Sequence, residues 1–154
     1  MRILVIEDDE NKRSQLVAFL QEAIEASSIQ IAKSLQRALR KISKETFDLI
    51  LLDMTLPTFD IAVEEDGGRP RIYGGREILR QMERNEINTP VIMVTQFDRF
   101  GKGADSLTLK QLDSQLQIAH SKNYAGSVFY NPAVESWKPN LRELIDKSIK
   151  GGGR

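Results

Sequence analysis

Short aliphatic runs recur along the chain, separated by longer stretches whose apolar positions fall at helical spacing. RILVI at 2–6 is compact and β-branched, which predicts a buried strand. From Asn11 onward, Leu16, Leu20, Ala23 and Ile24 fall on one helical face. A weaker strand signal, IQIA at 29–32, precedes a second helix marked by Leu35, Ala38, Leu39 and Ile42. FDLILLD at 47–53 is the strongest strand signal, and Ile78, Leu79 and Met82 form a third helical stripe. PVIMVT at 90–95 predicts another strand, with Pro90 at its first position, where a missing donor is tolerated. QFDRFGKGADS at 96–106 reads as loop. Thr108 and Gln111 then have the spacing of a capping box, ahead of a stripe of Leu109, Leu112, Leu116 and Ala119. SVFY at 127–130 supplies a fifth strand, and Trp137, Leu141, Leu144 and Ile145 share one face of a closing helix that accepts Pro139 in its first turn.

Five strands alternating with five helices predict an α/β fold. The strands are nearly continuous in apolar residues, so both faces of the sheet must be covered, as in a doubly wound parallel sheet. Ligands of such sheets sit beyond the carboxyl ends of the strands. A length of 154 residues fits one domain, 1–150, with an insertion at about 58–74 and a frayed tail at 151–154. Lys plus Arg and Asp plus Glu both total 22, so no net charge draws the molecule to nucleic acid or an anionic membrane. The absence of cysteine excludes disulfides, thiolate nucleophiles and zinc–thiolate sites, and fits a cytoplasmic protein. No run has the length of a membrane span or the pattern of a signal peptide.

Charge matters most where strands end. The first strand runs into Glu7-Asp8-Asp9 and the third ends at Asp53. If both are central and parallel, their carboxylates converge at one edge, where they repel unless protonated or neutralised by a cation. A hard divalent ion with oxygen ligands is the simplest neutraliser, and Mg²⁺ is the expected one. An acidic turn alone reads first as a solvated turn and helix N-terminus, where acids favour the dipole; the second acidic strand end reverses that preference in favour of a site. Thr95 closes the fourth strand with a hydroxyl able to donate to an anion, and Asn131-Pro132 closes the fifth. Taken singly, these two read as a capping hydroxyl and a turn residue.

At these residues the chain resembles the receiver domain of bacterial two-component response regulators. The resemblance rests on ILVIEDDENKR, FDLILLDMTLP, TPVIMVT and FYNP, in the family's order, and spans residues 2 to about 149. It implies a five-stranded doubly wound sheet of flavodoxin-like topology, here with enlarged loops after strands 3 and 4. It also implies phosphoryl transfer from a histidine kinase or phosphotransfer protein onto Asp53 with Mg²⁺ bound. Glu7 and Asp8 would match the acid pair that holds the metal, with Asp9 just outside it. The Thr55 carbonyl would be a further ligand, and Thr95 the hydroxyl that turns toward the phosphoryl oxygens.

The family's fifth strand ends in Lys-Pro, and this chain has the uncharged Asn131 there. The family's switch aromatic aligns with Val128, and the usually small residue after Thr95 is Gln96. Tyr130 is near, but strand alternation argues against it as a substitute. Seventeen residues, 58–74, separate Pro57 from Gly75 at the opening of the third helix, carrying Glu64-Glu65-Asp66, Arg69, Arg71 and Tyr73. They form either a solvated loop or a source, through Arg69 or Arg71, of the missing positive charge, with Arg99 and Lys102 as rivals. His120, the only histidine, reads as a surface residue near a helix end.

Two readings of function follow. One is a stand-alone phosphorylatable receiver, with no output domain expected after Ile149, acting on an effector protein or as a phosphoryl relay or sink. The other is a pseudo-receiver that binds partners without phosphorylation. Neither makes the chain an enzyme beyond self-phosphorylation from a phosphodonor and autodephosphorylation. Phosphohydrolases of the haloacid-dehalogenase type and Toprim-type nucleases need a second acid where Thr55 stands. A dinucleotide site would need glycines where EDDENKR stands.

Overall fold

The structure is a computed structural model that describes residues 1–24, 28–60 and 71–152. Chain order is β1 (Arg2–Ile6), α1 (Glu10–Ala23), β2 (Ser28–Ala32), α2 (Leu35–Lys44), β3 (Leu49–Leu52) and α3 (Gly74–Arg84). There follow β4 (Val91–Thr95), β5 (Arg99–Phe100), a short 3₁₀ turn, β6 (Leu107–Thr108), α4 (Leu109–Ala119), β7 (Tyr124–Phe129) and α5 (Trp137–Gly152). The main sheet is parallel with order β2-β1-β3-β4-β7, the doubly wound arrangement expected from continuous apolar strands. Alternate residues of each strand feed different layers. Leu4 and Ile6 of β1 join Ala38, Ile78, Leu79 and Leu112, under α2, α3 and α4, whereas Ile3 and Val5 join Leu16, Leu20, Leu141 and Ile145, under α1 and α5.

Local chemistry sets the helix starts. Asp9 accepts from the Lys12 amide at 2.8 Å and Ser34 from Arg37 at 3.3 Å, satisfying N–H groups that the first turn leaves free. The capping box of α4 is complete: Gln111 N–H donates to Thr108 Oγ1, and Thr108 N–H to Gln111 Oε1.

Three expectations are corrected. The stretch after β4 is not plain loop: β5 and β6 pair as an antiparallel ribbon, driven by burial of Phe100 against Tyr73 and Phe97. Its turn uses Gly101 and Gly103 at φ 81° and 69°, conformations that side chains resist. The last strand begins at Tyr124 rather than Ser127, with a register shift opposite Val91 and Ile92. Helix α5 continues through Gly151 and Gly152, which composition assigns to a frayed tail. Their amides can bond to carbonyls of the preceding turn whatever the side chain. Among the described residues no helix is long and apolar enough to cross a membrane.

Candidate functional site

β1 and β3 are neighbours in register, Ile6 beside Leu52, so the residues that follow them emerge together at the carboxyl edge. The Asp53 amide donates to the Ile6 carbonyl at 3.0 Å and fixes that junction. Glu7, Asp8 and Asp53 each present a carboxylate oxygen, and these oxygens lie within 4.8 Å of one another. Glu7 is 2% exposed and Asp53 6%, while Asp8 is half-buried.

Burial raises the pKa of Asp53; the charge of Lys12 opposes the rise and that of Asp8 adds to it. Glu7 is pushed up to about 8, first by burial and then by Asp53, against the pull of Lys12. Glu7 Oε1 and Asp53 Oδ1 are both buried. Three carboxyl groups converging at one edge make an all-oxygen set, which fits a hard divalent cation such as Mg²⁺.

Lys12 is a site residue that the motifs do not single out. It lies on α1, is 1% exposed, and donates from Nζ to the Val94 carbonyl at 2.6 Å, spanning from helix to the end of β4. The same nitrogen is 2.5 Å from Glu7 Oε1 and 3.7 Å from Asp53 Oδ1. These are ion-pair contacts, and the aligned hydrogen bond is the one to Val94. A signal was present: Lys12 lies four residues before Leu16 and eight before Leu20, which places a charge on the apolar stripe of α1.

The other expected donors of positive charge do not reach the acids. Arg71 is exposed and bridged through its backbone to Leu56. Arg99 is exposed and donates to Ser106 Oγ, and Lys102 is exposed. Arg69 and the acids at 64–66 lie outside the described residues.

The ends of the 58–74 segment meet at the rim of the site. Leu56 and Arg71 exchange backbone hydrogen bonds of 3.1 and 2.7 Å, and the Thr55 hydroxyl donates to the Ile72 carbonyl at 3.1 Å. Asp60 accepts from Ser34 Oγ at 2.5 Å and lies 3.4 Å from Arg37 Nε, so the start of the segment is tied to the first turn of α2.

Thr95 is fully buried, and its Oγ1 accepts from the Phe97 amide at 3.1 Å. Asn131 uses its Oδ1 to accept from the Ala133 amide at 3.0 Å, an Asx-type turn at the strand end. Gln96 is exposed.

Val128 and Tyr130 both pack in the α1/α5 layer, so the alternation argument that separated them is corrected: they lie two residues apart and share a face. Directly across from Thr95 on the neighbouring strand is Phe129, 46% exposed, and paired residues of adjacent strands point to the same side. His120 sits near the end of α4 but is buried, with Nδ1 3.2 Å from Glu83 Oε2 of α3, so the expected surface position is corrected. The His120 carbonyl takes the amides of both Asn123 and Tyr124 and so closes the turn into β7.

The sheet order, the acidic edge and the placement of Thr95 together define a receiver, and the comparisons agree. The family model for the response regulator receiver domain matches residues 3–116, and the chain belongs to that family. The protein y4jR of Sinorhizobium fredii is 30% identical over 152 residues, covering 96% of this chain and 100% of that one. The Detocs response regulatory protein DtcB of Enterobacter cloacae is 29% identical over 147 residues, covering 94% and 98%. The structure of response regulator protein TrrA from Thermotoga maritima, in complex with Mg²⁺-BeF, superposes with a TM-score of 0.59 at 22% identity, covering 93% of this chain and 97% of that one.

Proposed function

We propose that this receiver accepts a phosphoryl group on Asp53 from a histidine kinase or phosphotransfer protein in two-component signalling. It then acts through contacts with an effector protein or as a phosphoryl relay or sink. The observation that carries the reading is the convergence of Glu7, Asp8 and Asp53 oxygens within 4.8 Å at the carboxyl edge of the sheet. Glu7, Asp8, Asp53 and the Thr55 carbonyl would hold Mg²⁺, which supplies charge neutralisation for the transferring oxygens. An Asp53 carboxylate oxygen forms the new bond to phosphorus as the bond to the donor imidazole nitrogen breaks, and the imidazole leaves neutral after taking a proton. Thr95 offers a hydroxyl at the neighbouring strand end, whose oxygen accepts from the Phe97 amide while its proton can be donated to an anion. Chemistry of this kind asks for positioning and electrostatics and little else, so the chain is a signalling module that handles its own phosphoryl group and no other substrate. The test is formation of a phosphoryl adduct from acetyl phosphate with Mg²⁺, and its loss in Asp53→Asn.

A second reading, a pseudo-receiver that binds partners without phosphorylation, is favoured by one observation: the Asn131 side chain closes its own turn. An Mg²⁺-dependent adduct on Asp53 eliminates that reading.

A further inference from the structure

Resting on the acceptor reading of Asp53, we propose that Lys12 is the cation that pairs with the phosphoryl group, delivered from helix α1 instead of from the end of the last strand. The last strand cannot deliver it. Asn131 carries no charge, and its Oδ1 is held by the Ala133 amide at 3.0 Å. Lys12 has what the role requires. It is 1% exposed, and an ammonium is rarely buried so deeply unless paired.

An ammonium has three donors. One is directed to the Val94 carbonyl at 2.6 Å, which holds the nitrogen at the end of β4. A second faces Glu7 Oε1 at 2.5 Å. The third side faces Asp53 Oδ1 across 3.7 Å, beyond hydrogen-bond range and inside ion-pair range. A donor is thus left for an anionic oxygen attached at Asp53. Among the described residues, Lys12 is the one cation that an ion pair joins to Glu7 or Asp53. Arg13 donates instead to the backbone carbonyls of Glu7 and Asp8 at 3.3 and 3.2 Å.

Moving the cation from strand to helix also changes what it touches. Lys12 Nζ is 6.0 Å from the Tyr130 ring centroid, and that ring packs on Trp137 at 5.1 Å. The cation that senses the phosphoryl group therefore borders the aromatic cluster between α1 and α5, and Trp137 emission reports on it.

The test compares wild type, Lys12→Met, and Lys12→Met combined with Asn131→Lys. Adduct formation with acetyl phosphate and Mg²⁺ is followed by intact mass, with Trp137 emission recorded on adding Mg²⁺ and beryllofluoride. Lys12→Met is expected to slow adduct formation roughly tenfold to a hundredfold, the worth of one charge-assisted hydrogen bond at a developing anion. It should also abolish the Trp137 response. The double variant is expected to recover most of the rate, because it returns the charge from the opposite side. If Lys12→Met does not fold, Lys12→Gln, which keeps a donor for Val94, carries the comparison. A normal rate in Lys12→Met, or a slow rate that Asn131→Lys fails to rescue, overturns the proposal and leaves the acceptor reading standing. No adduct on wild type removes the acceptor reading, and this proposal with it.

Discussion

Two adjacent glycines open helix α3 directly behind the acceptor loop, and the structure separates their responses to the same substitution. A Cβ at Gly75 meets the Asp53 carbonyl oxygen, Met54 Cα and Met54 Cε, each at 3.1 Å. Two of these are backbone atoms. The Gly75 amide also donates to the Met54 carbonyl at 2.9 Å, which prevents the helix from backing away. The atoms nearest a Cβ at Gly74 are Leu56 Cβ at 3.4 Å, Leu56 O at 3.5 Å and Arg71 Cβ at 3.6 Å, ordinary contact distances.

Overpacking by one methyl against a fixed backbone costs about 1–3 kcal/mol, and for a domain of this size each kcal/mol lowers Tm by about 2–4 °C. Gly75→Ala is therefore expected to melt about 2–12 °C below wild type. Gly74→Ala gains about 0.4–1 kcal/mol from the restricted unfolded chain and melts at or slightly above wild type. The measurement is thermal unfolding of the three proteins with the metal chelated. Because the displaced atoms belong to Asp53 and Met54, Gly75→Ala should also slow phosphoryl uptake, and Gly74→Ala should not. A Gly75→Ala protein as stable as Gly74→Ala would refute the close approach of α3 to the acceptor loop.

The buried acids make stability depend on pH in a direction opposite to an ordinary salt-bridged carboxylate. The folded-state pKa values of Glu7 and Asp53 are raised above their unfolded values, so the folded state binds more protons across that window. In chelator, stability should be greatest below the ordinary carboxylate range and fall as pH rises through about 8, where Glu7 ionises in the folded protein. Urea midpoints between about pH 5 and pH 9 that stay flat or rise would contradict this, and saturating Mg²⁺ should reduce the slope. At the far side of the sheet, the Tyr124 hydroxyl donates to Asp113 Oδ1 at 2.5 Å, and burial is the first cause of its raised pKa. Tyr124→Phe should cost about 1–2 kcal/mol in urea unfolding, and an unchanged midpoint would show that bond to contribute nothing.

The acids were legible because a strand that ends in a carboxylate breaks its own apolar pattern, and two such breaks on neighbouring strands name an edge. The sheet was legible because Leu49–Leu52 and the residues from Val91 to Val94 are apolar on both faces. Lys12 was lost because a charge beside Glu10 and Arg13 reads as part of a solvated run, and only its phase with Leu16 and Leu20 marks it as buried. The pairing of Thr95 with Phe129 was not legible, because it depends on a register shift between Val91 and Ile92 that no periodicity marks. The β5–β6 ribbon has two residues per strand, too few for any periodicity to appear. His120 carried a signal of the same kind as Lys12, four residues after Leu116 and eight after Leu112, but its place at the helix end hid its membership of the buried stripe.

Everything proposed for this edge of the sheet depends on Asp53 accepting a phosphoryl group. Intact-mass analysis after incubation with acetyl phosphate or phosphoramidate and Mg²⁺, wild type beside Asp53→Asn, tests that most directly. One phosphoryl adduct is expected on wild type, absent in chelator and absent from the variant. An adduct that persists on Asp53→Asn, or none on wild type with either donor, would contradict it.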